Sequence, residues 1–183
     1  MRTYLTLGLL LLAACVFAQR ASAQSKNQIT LGGSEYAFSI SLPEKWNLDT
    51  AKLALRHLAR AVVYPATGES HFPQIEILPA TKMLEGINTL RNLLNYSAHF
   101  DSANGARHIE NTPIETKDGK KVLVVTSAYQ NWQTVNAYVE EAHAVIVFSL
   151  AVLDLKTEKE GVEALNEVVK SYSSLPPENG PKK

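Results

Sequence analysis

The sequence predicts an α+β fold, an antiparallel β-sheet of about six strands flanked by two or three α-helices. Three observations predict it. Apolar residues alternate with small or polar ones in several runs, and short turn signals join these runs instead of long crossovers. Apolar stripes at helical spacing stand between and after the runs. VLVV at 122–125 and AVIVFSLAV at 144–152 are apolar at consecutive positions, which predicts central strands covered on both faces.

The 183 residues suit one domain. A chain of that size buries about 70% of the surface it exposes unfolded, so a core forms without staples. Only one cysteine, Cys15, is present, so no disulfide can form within a chain. Packing alone must hold the domain.

MRTYLTLGLLLLAACVFAQRASAQS opens the chain with Arg2, an apolar run over 5–18, and Ala21-Ser22-Ala23 at the positions a signal peptidase reads. The run is shorter than the roughly 20 apolar residues a spanning helix needs. The pattern predicts a secretory signal over 1–23, cut between Ala23 and Gln24. Leu12-Ala13-Ala14-Cys15 carries a second reading, a bacterial lipobox in which Cys15 is acylated and anchors the protein. Val16-Phe17-Ala18 continues the apolar run past the cysteine and favours release. The mass of the mature N-terminus separates an exported, periplasmic or secreted protein from a membrane-anchored lipoprotein.

Beyond the signal, a single domain is expected over 24–175. Residues 28–31 form a short strand, and Gly32-Gly33-Ser34 a turn. In YAFSISLPEKW (36–46), Tyr36, Phe38, Ile40 and Leu42 recur with period two. Pro43 ends that strand by removing a ladder donor, and Trp46 caps the core beyond the turn. Asp49 is expected to cap a helix on which Ala51, Ala54, Leu55, Leu58 and Val62 form a stripe, running into the strand-like AVVY of 61–64. Ile75 and Ile77 belong to a strand that Pro73 starts or places at an edge.

Thr81 is expected to cap a second helix with Ile87, Leu90, Leu94 and Ala98 on one face, fading at Asp101. Asn104-Gly105 turns the chain into weak strands at 106–111 and 114–116. Lys117-Asp118-Gly119 signals a tight hairpin into a strong strand at 121–130. Strands at 134–140 and 144–154 follow, turning at Glu141-Ala142-His143. Thr157 and Glu160 form a capping-box pattern for a last helix, with Val162, Leu165, Val168, Val169 and Tyr172 facing inward. Pro176-Pro177 is expected to stop it, leaving 176–183 as a flexible polar tail.

This order of elements resembles the PsbP-like fold, an α/β/α sandwich that includes the extrinsic oxygen-evolving protein of photosystem II and bacterial periplasmic DcrB-like proteins. YAFSISLPEKW is similar to its opening strand. IETKDGKKVLVVTSAYQ and VNAYVEEAHAVIVFSLAV are similar to its central meander, and EKEGVEALNEVVKSYSSL to its closing helix. The likeness spans roughly 28–175, and the helical stretch expected over 49–64 departs from it. It implies a binding or accessory module that stabilises complexes or assists other envelope components, and no ligand-binding motif carries over.

The chemistry-bearing motifs are sparse. The chain is neutral, and removing 1–23 takes away Arg2 and Arg20 to leave 16 basic against 18 acidic residues. That is no footprint for nucleic acid. None of His57, His71, His99, His108 and His143 stands in a compact zinc pattern. His108 and Glu110, two apart on a strand, share a face and are the best candidates for a divalent metal, although further ligands must come from elsewhere. His99 and Asp101 share that spacing with poorer geometry at a helix end. Glu140, Glu141 and His143 read as a charged turn. Gly68-Glu69-Ser70-His71 is not a nucleophile elbow, and no phosphate-cradling glycine loop occurs.

Trp132, with Tyr129 nearby, lies between two strands. A tryptophan there either folds back over the sheet edge or stands exposed as an interface residue. The reading that results is an exported, non-enzymatic binding or accessory protein of the bacterial cell envelope, acting through contact with an envelope protein, with no cofactor implied. The alternative is a periplasmic metal or small-ligand binder using His108 and Glu110. A hydrolase would need a cleft with convergent polar groups.

Overall fold

The computed structural model describes residues 27–32, 36–49, 61–66, 73–81, 89–153 and 155–176. The signal segment with Cys15, Ala23 and Gln24, the stretch 50–60 with His57, the Ser70-His71 pair, Ile87 and the tail beyond Pro176 all lie outside the described residues.

Five strands come first: β1 (Gln28–Gly32), β2 (Ala37–Ser41), β3 (Trp46–Asp49), β4 (Ala61–Pro65) and β5 (Gln74–Thr81). Helix α1 (Leu90–Ala103) follows. Then come β6 (Arg107–Glu110), β7 (Ile114–Glu115), β8 (Lys121–Ala128), β9 (Gln133–Glu140) and β10 (Ala144–Val152). Helix α2 (Leu155–Ser171) and β11 (Ser173–Leu175) close the chain. The architecture is α+β, and every strand pairing is antiparallel.

The sheet is larger than the six strands expected. One sheet has eight strands in the order β3-β4-β5-β10-β9-β8-β6, with β7 also pairing β8, and a second has three in the order β1-β2-β11. The excess is in short strands. β3 and β11, of four and three residues, are the strands not expected, too short for a clear period-two alternation. Only a partner strand makes them strands: β11 pairs Ser173 with Ser39 and Leu175 with Ala37.

The element bounds differ from expectation for local reasons. Asp49 ends β3, paired with Val62 of β4, and the helix expected to follow it lies outside the described residues. Thr81 ends β5 instead of opening a helix. α1 starts at Leu90, where Thr89 is the cap and its Oγ1 accepts from the Asn92 amide at 3.2 Å. α2 starts at Leu155, so Thr157 lies within its first turn and the expected capping box does not form. Prolines do not stop α2. It ends at Ser171, whose Oγ donates to the Val168 carbonyl (2.7 Å) and accepts the Ser41 amide (2.7 Å). β5, despite Pro73 before it, is interior between β4 and β10.

Turn chemistry sets the hairpins. Gly119 sits at φ +82°, which glycine adopts without steric cost, and donates to the Thr116 carbonyl at 3.0 Å. Between β2 and β3 the Trp46 amide bonds the Pro43 carbonyl at 3.2 Å. Lys45 there takes φ +65°, a conformation that costs a side-chain-bearing residue about 1–2 kcal/mol. The turn delivers Trp46 to the core, where it is 8% exposed.

The eight-stranded sheet is buried on both faces. On one, Ile75, Ile77, Val124, Ala137, Ile146, Phe148 and Leu150 pack with Leu165, Val168, Val169 and Tyr172 of α2, and with Phe38 and Ile40 of β2. On the other, Val125, Tyr138 and Val145 meet Leu90, Leu93 and Leu94 of α1. α2 approaches β10 closely because Gly161 has no side chain: a Cβ there would lie 3.0 Å from Leu150 Cδ1 and from Pro73 Cβ.

Candidate functional site

The β8–β9 hairpin turns through four residues beyond the pair Ala128–Gln133, closed by the Tyr129 amide donating to the Trp132 carbonyl at 2.9 Å. That bond places the Tyr129 and Trp132 side chains beside each other. Their rings stack with centroids 4.0 Å apart and planes 4° off parallel. Trp132 remains 42% exposed, because Tyr129 occupies only one of its faces. The two rings, Gln130, Asn131, Gln133 and Leu153 line an open groove of about 330 Å³, and Leu153 is itself exposed.

Beneath the stack lies Asp101, on the last turn of α1 and only 3% exposed. Its Oδ2 accepts from Ser127 Oγ of β8 at 2.5 Å and lies 3.2 Å from His108 Nδ1 of β6. Its Oδ1 accepts from the Tyr129 hydroxyl at 3.1 Å. One buried carboxylate therefore ties α1, β6, β8 and the hairpin tip together, its charge met by several donors as burial demands. Burial, then the hydrogen bond and charge of Asp101, raise the Tyr129 phenol pKa above its ordinary value, so the hydroxyl stays a donor.

Aspartate, histidine and serine meet here without the relay of a hydrolase. In that relay the imidazole stands between carboxylate and hydroxyl. Here both converge on one carboxylate oxygen, and Ser127 is 1% exposed, so its hydroxyl is shut away from any substrate.

His108 and Glu110 do share strand β6, but His108 commits Nδ1 to Asp101 while Glu110 is exposed. Among the described residues no three His, Cys, Asp or Glu side chains gather where a metal ion could be held. His99 is exposed on α1 and makes no part of the cluster. Asp101, read from sequence as the fading end of a helix, is the residue on which the site turns. Its signal was its phase: it falls seven residues after Leu94, on the helix's inward stripe.

No family model matches the chain, and no curated protein matches it in sequence. Solved structures do match in shape. The solution structure of cyanobacterial PsbP (CyanoP) from Synechocystis sp. PCC 6803 superposes with a TM-score of 0.52 at 10% identity, covering 85% of this chain and 96% of that one. The crystal structure of LpqN, involved in cell envelope biogenesis of Mycobacterium tuberculosis, matches with a TM-score of 0.45 at 12% identity, covering 81% and 91%. The chain has the PsbP-like fold.

A second polar cluster locks the C-terminal end of this PsbP-like domain. Glu141, at the β9–β10 turn, accepts on Oε1 from Lys120 Nζ (2.7 Å), the Tyr172 hydroxyl (2.5 Å) and Ser174 Oγ (2.7 Å). Asp118 Oδ2 accepts the Ser174 amide at 2.9 Å and lies 3.0 Å from Ser174 Oγ, whose single proton it shares with Glu141. So the charged turn at Glu141 fastens β11 to two hairpins.

Burial opposes ionisation of Glu141, but the bonds from Lys120, Tyr172 and Ser174 outweigh it and hold its pKa below the usual carboxylate value. Asp118 is lowered likewise, burial being overcome by bonds from Thr116 and Ser174 and by the Lys120 charge. Burial, then the bond and charge of Glu141, push the Tyr172 phenol well up.

The signs give opposite limbs. The carboxylates stabilise the fold above their unfolded values of about 4, and that contribution is lost as pH falls through their lowered folded values. Protonated Tyr172 contributes fully below its unfolded value of about 10, and that is lost as pH rises beyond it toward the raised folded value. Urea unfolding against pH should therefore show a shallower acid limb in Glu141→Gln and a shallower alkaline limb in Tyr172→Phe. A wild-type profile flat on both sides is the contrary result. Because Asp118 is exposed, salt should weaken its share.

Proposed function

We propose that this chain is an exported, non-enzymatic binding protein of the bacterial cell envelope that meets a protein partner through the Tyr129–Trp132 face. The observation that carries the reading is the fixed, outward tryptophan. Trp132 is 42% exposed yet is held by a parallel ring whose hydroxyl is anchored on a buried carboxylate. A large aromatic side chain ordered before binding loses little conformational freedom when a partner covers it. Aromatic anchors of this kind carry much of the energy of protein interfaces. The adjoining Gln130, Asn131 and Leu153 give it a mixed polar and apolar rim. Export rests on the N-terminal pattern of Arg2, the apolar run and Ala21-Ser22-Ala23. No described helix is long and apolar enough to cross a membrane.

Trp132→Ala should weaken partner recovery from crosslinked envelope fractions by at least about tenfold, the loss expected of an interface anchor. Its unfolding midpoint should barely move, since an exposed residue is removed. Recovery of no protein by gentle crosslinking, or recovery indifferent to Trp132→Ala, sinks the reading.

A further inference from the structure

α2 lies chiefly over β10 and β2, and β8 and β9 continue to one side of it. An open groove of about 390 Å³ results, between the α2 side chains Glu158, Val162 and Asn166 and the chain leading from β6 to β7. Its size falls in the range of small-molecule sites, roughly 300–1,000 Å³. Val124 and Val135 form an apolar floor. It does not include the aromatic face of the hairpin, although Gln133 borders both.

The polar groups of this groove are held in place with acceptors left over. Gln133 Nε2 donates to Glu158 Oε1 at 2.6 Å, and Asn111 Nδ2 donates to Thr126 Oγ1 at 2.7 Å. Each carboxamide thereby uses an N–H and keeps its carbonyl oxygen, and Glu158 keeps its second carboxylate oxygen. Asn166 forms no side-chain hydrogen bond among the described residues. Among the described residues no lysine, arginine or histidine lines the groove, and Glu158 is the one formal charge on its lining. Glu158 stands in the first turn of α2.

An anionic, acceptor-rich rim above an apolar floor complements a donor-rich cation with an apolar body. An anion would meet the Glu158 charge, and a neutral alcohol brings one donor where an ammonium brings three. We infer that the groove between α2 and the β8–β9 face binds a small organic cation, a protonated primary amine on an apolar body. The ammonium donates to Glu158 and to the freed carboxamide oxygens, and its hydrocarbon lies on Val124 and Val135.

The test is a titration of the full chain, followed by ligand-observed NMR, with hexylammonium, 1-hexanol and hexanoate, which share one apolar body and differ in head group. Hexylammonium should bind saturably, 1-hexanol about tenfold more weakly, as a lost charged hydrogen bond implies, and hexanoate not measurably. Glu158→Gln should bring hexylammonium to the level of 1-hexanol, and Val162→Trp, which fills the groove, should abolish both. If Val162→Trp does not fold, Glu158→Gln decides alone. Absence of hexylammonium binding, equal affinity for the three probes, or an affinity unchanged by Glu158→Gln overturns the assignment.

Discussion

Asp101→Ala is expected to destabilise the protein by about 2–4 kcal/mol, the scale of stripping the acceptor from several buried donors. Asp101 is 3% exposed, and its removal leaves the Ser127 hydroxyl, itself 1% exposed, without its carboxylate acceptor. Tyr129 and His108 each lose the same partner. Both lie nearer the surface and can turn to solvent, so Ser127 should carry most of the loss. Asp101→Asn keeps the volume and one acceptor oxygen, and should fall between the two. Ser127→Ala in the Asp101→Ala background should restore part of the stability by removing the stranded hydroxyl. Tyr129 also loses its tether, so the near-ultraviolet circular dichroism of the stacked Tyr129–Trp132 pair should diminish. A midpoint shift worth less than about 0.5 kcal/mol, the scale of ordinary surface changes, would show that Asp101 organises nothing.

The same carboxylate marks the limit of what the sequence makes legible. The inward stripe of α2 is readable because its residues report their own burial: Leu165, Val168, Val169 and Tyr172 recur at helical spacing and are all buried. The two-sided burial of β8 and β10 is readable from unbroken apolar runs, and α1 and α2 lie over opposite faces of their sheet. Asp101 shows only its phase on the inward stripe of α1, not the partners it meets. Its partners stand 7, 26 and 28 positions away, and their approach depends on β6 pairing with β8. Glu141 is similar, with Lys120 at 21 and Tyr172 at 31 positions' distance. β11 fails for another reason. Three residues of SSL carry no pattern, and the pairing with β2 alone defines them. The proximity of Tyr129 to Trp132 was readable because a hairpin brings its flanks together, whereas the parallel stacking needed the closing hydrogen bond.

Phe148→Ala should cost about 3–5 kcal/mol, the loss expected of a fully buried phenylalanine and more than that of Asp101→Ala. Phe148 is at the middle of β10, opposite Ala137 of β9 and Ile77 of β5, with no exposed surface. Its ring meets Phe38 of β2 edge-on at 6.3 Å and Tyr172, just past α2, at 6.1 Å and 90°. Phe38 and Tyr172 stack on each other at 5.0 Å. The large sheet, the small sheet and the closing helix therefore touch through three rings. Ala137 opposite Phe148 is small, so the ring has no bulky cross-strand neighbour there to close over the cavity. The β11 pairing depends on Tyr172 staying seated, because Ser173 follows it directly and enters the ladder with Ser39. In Phe148→Ala, amide exchange should accelerate first in β2 and β11, ahead of β8 and β9. Phe148→Leu, which refills much of the volume, should recover most of the stability and the exchange order. Uniform acceleration across all strands, or a loss below about 1.5 kcal/mol in urea unfolding, would mean that the two sheets are not joined through this cluster.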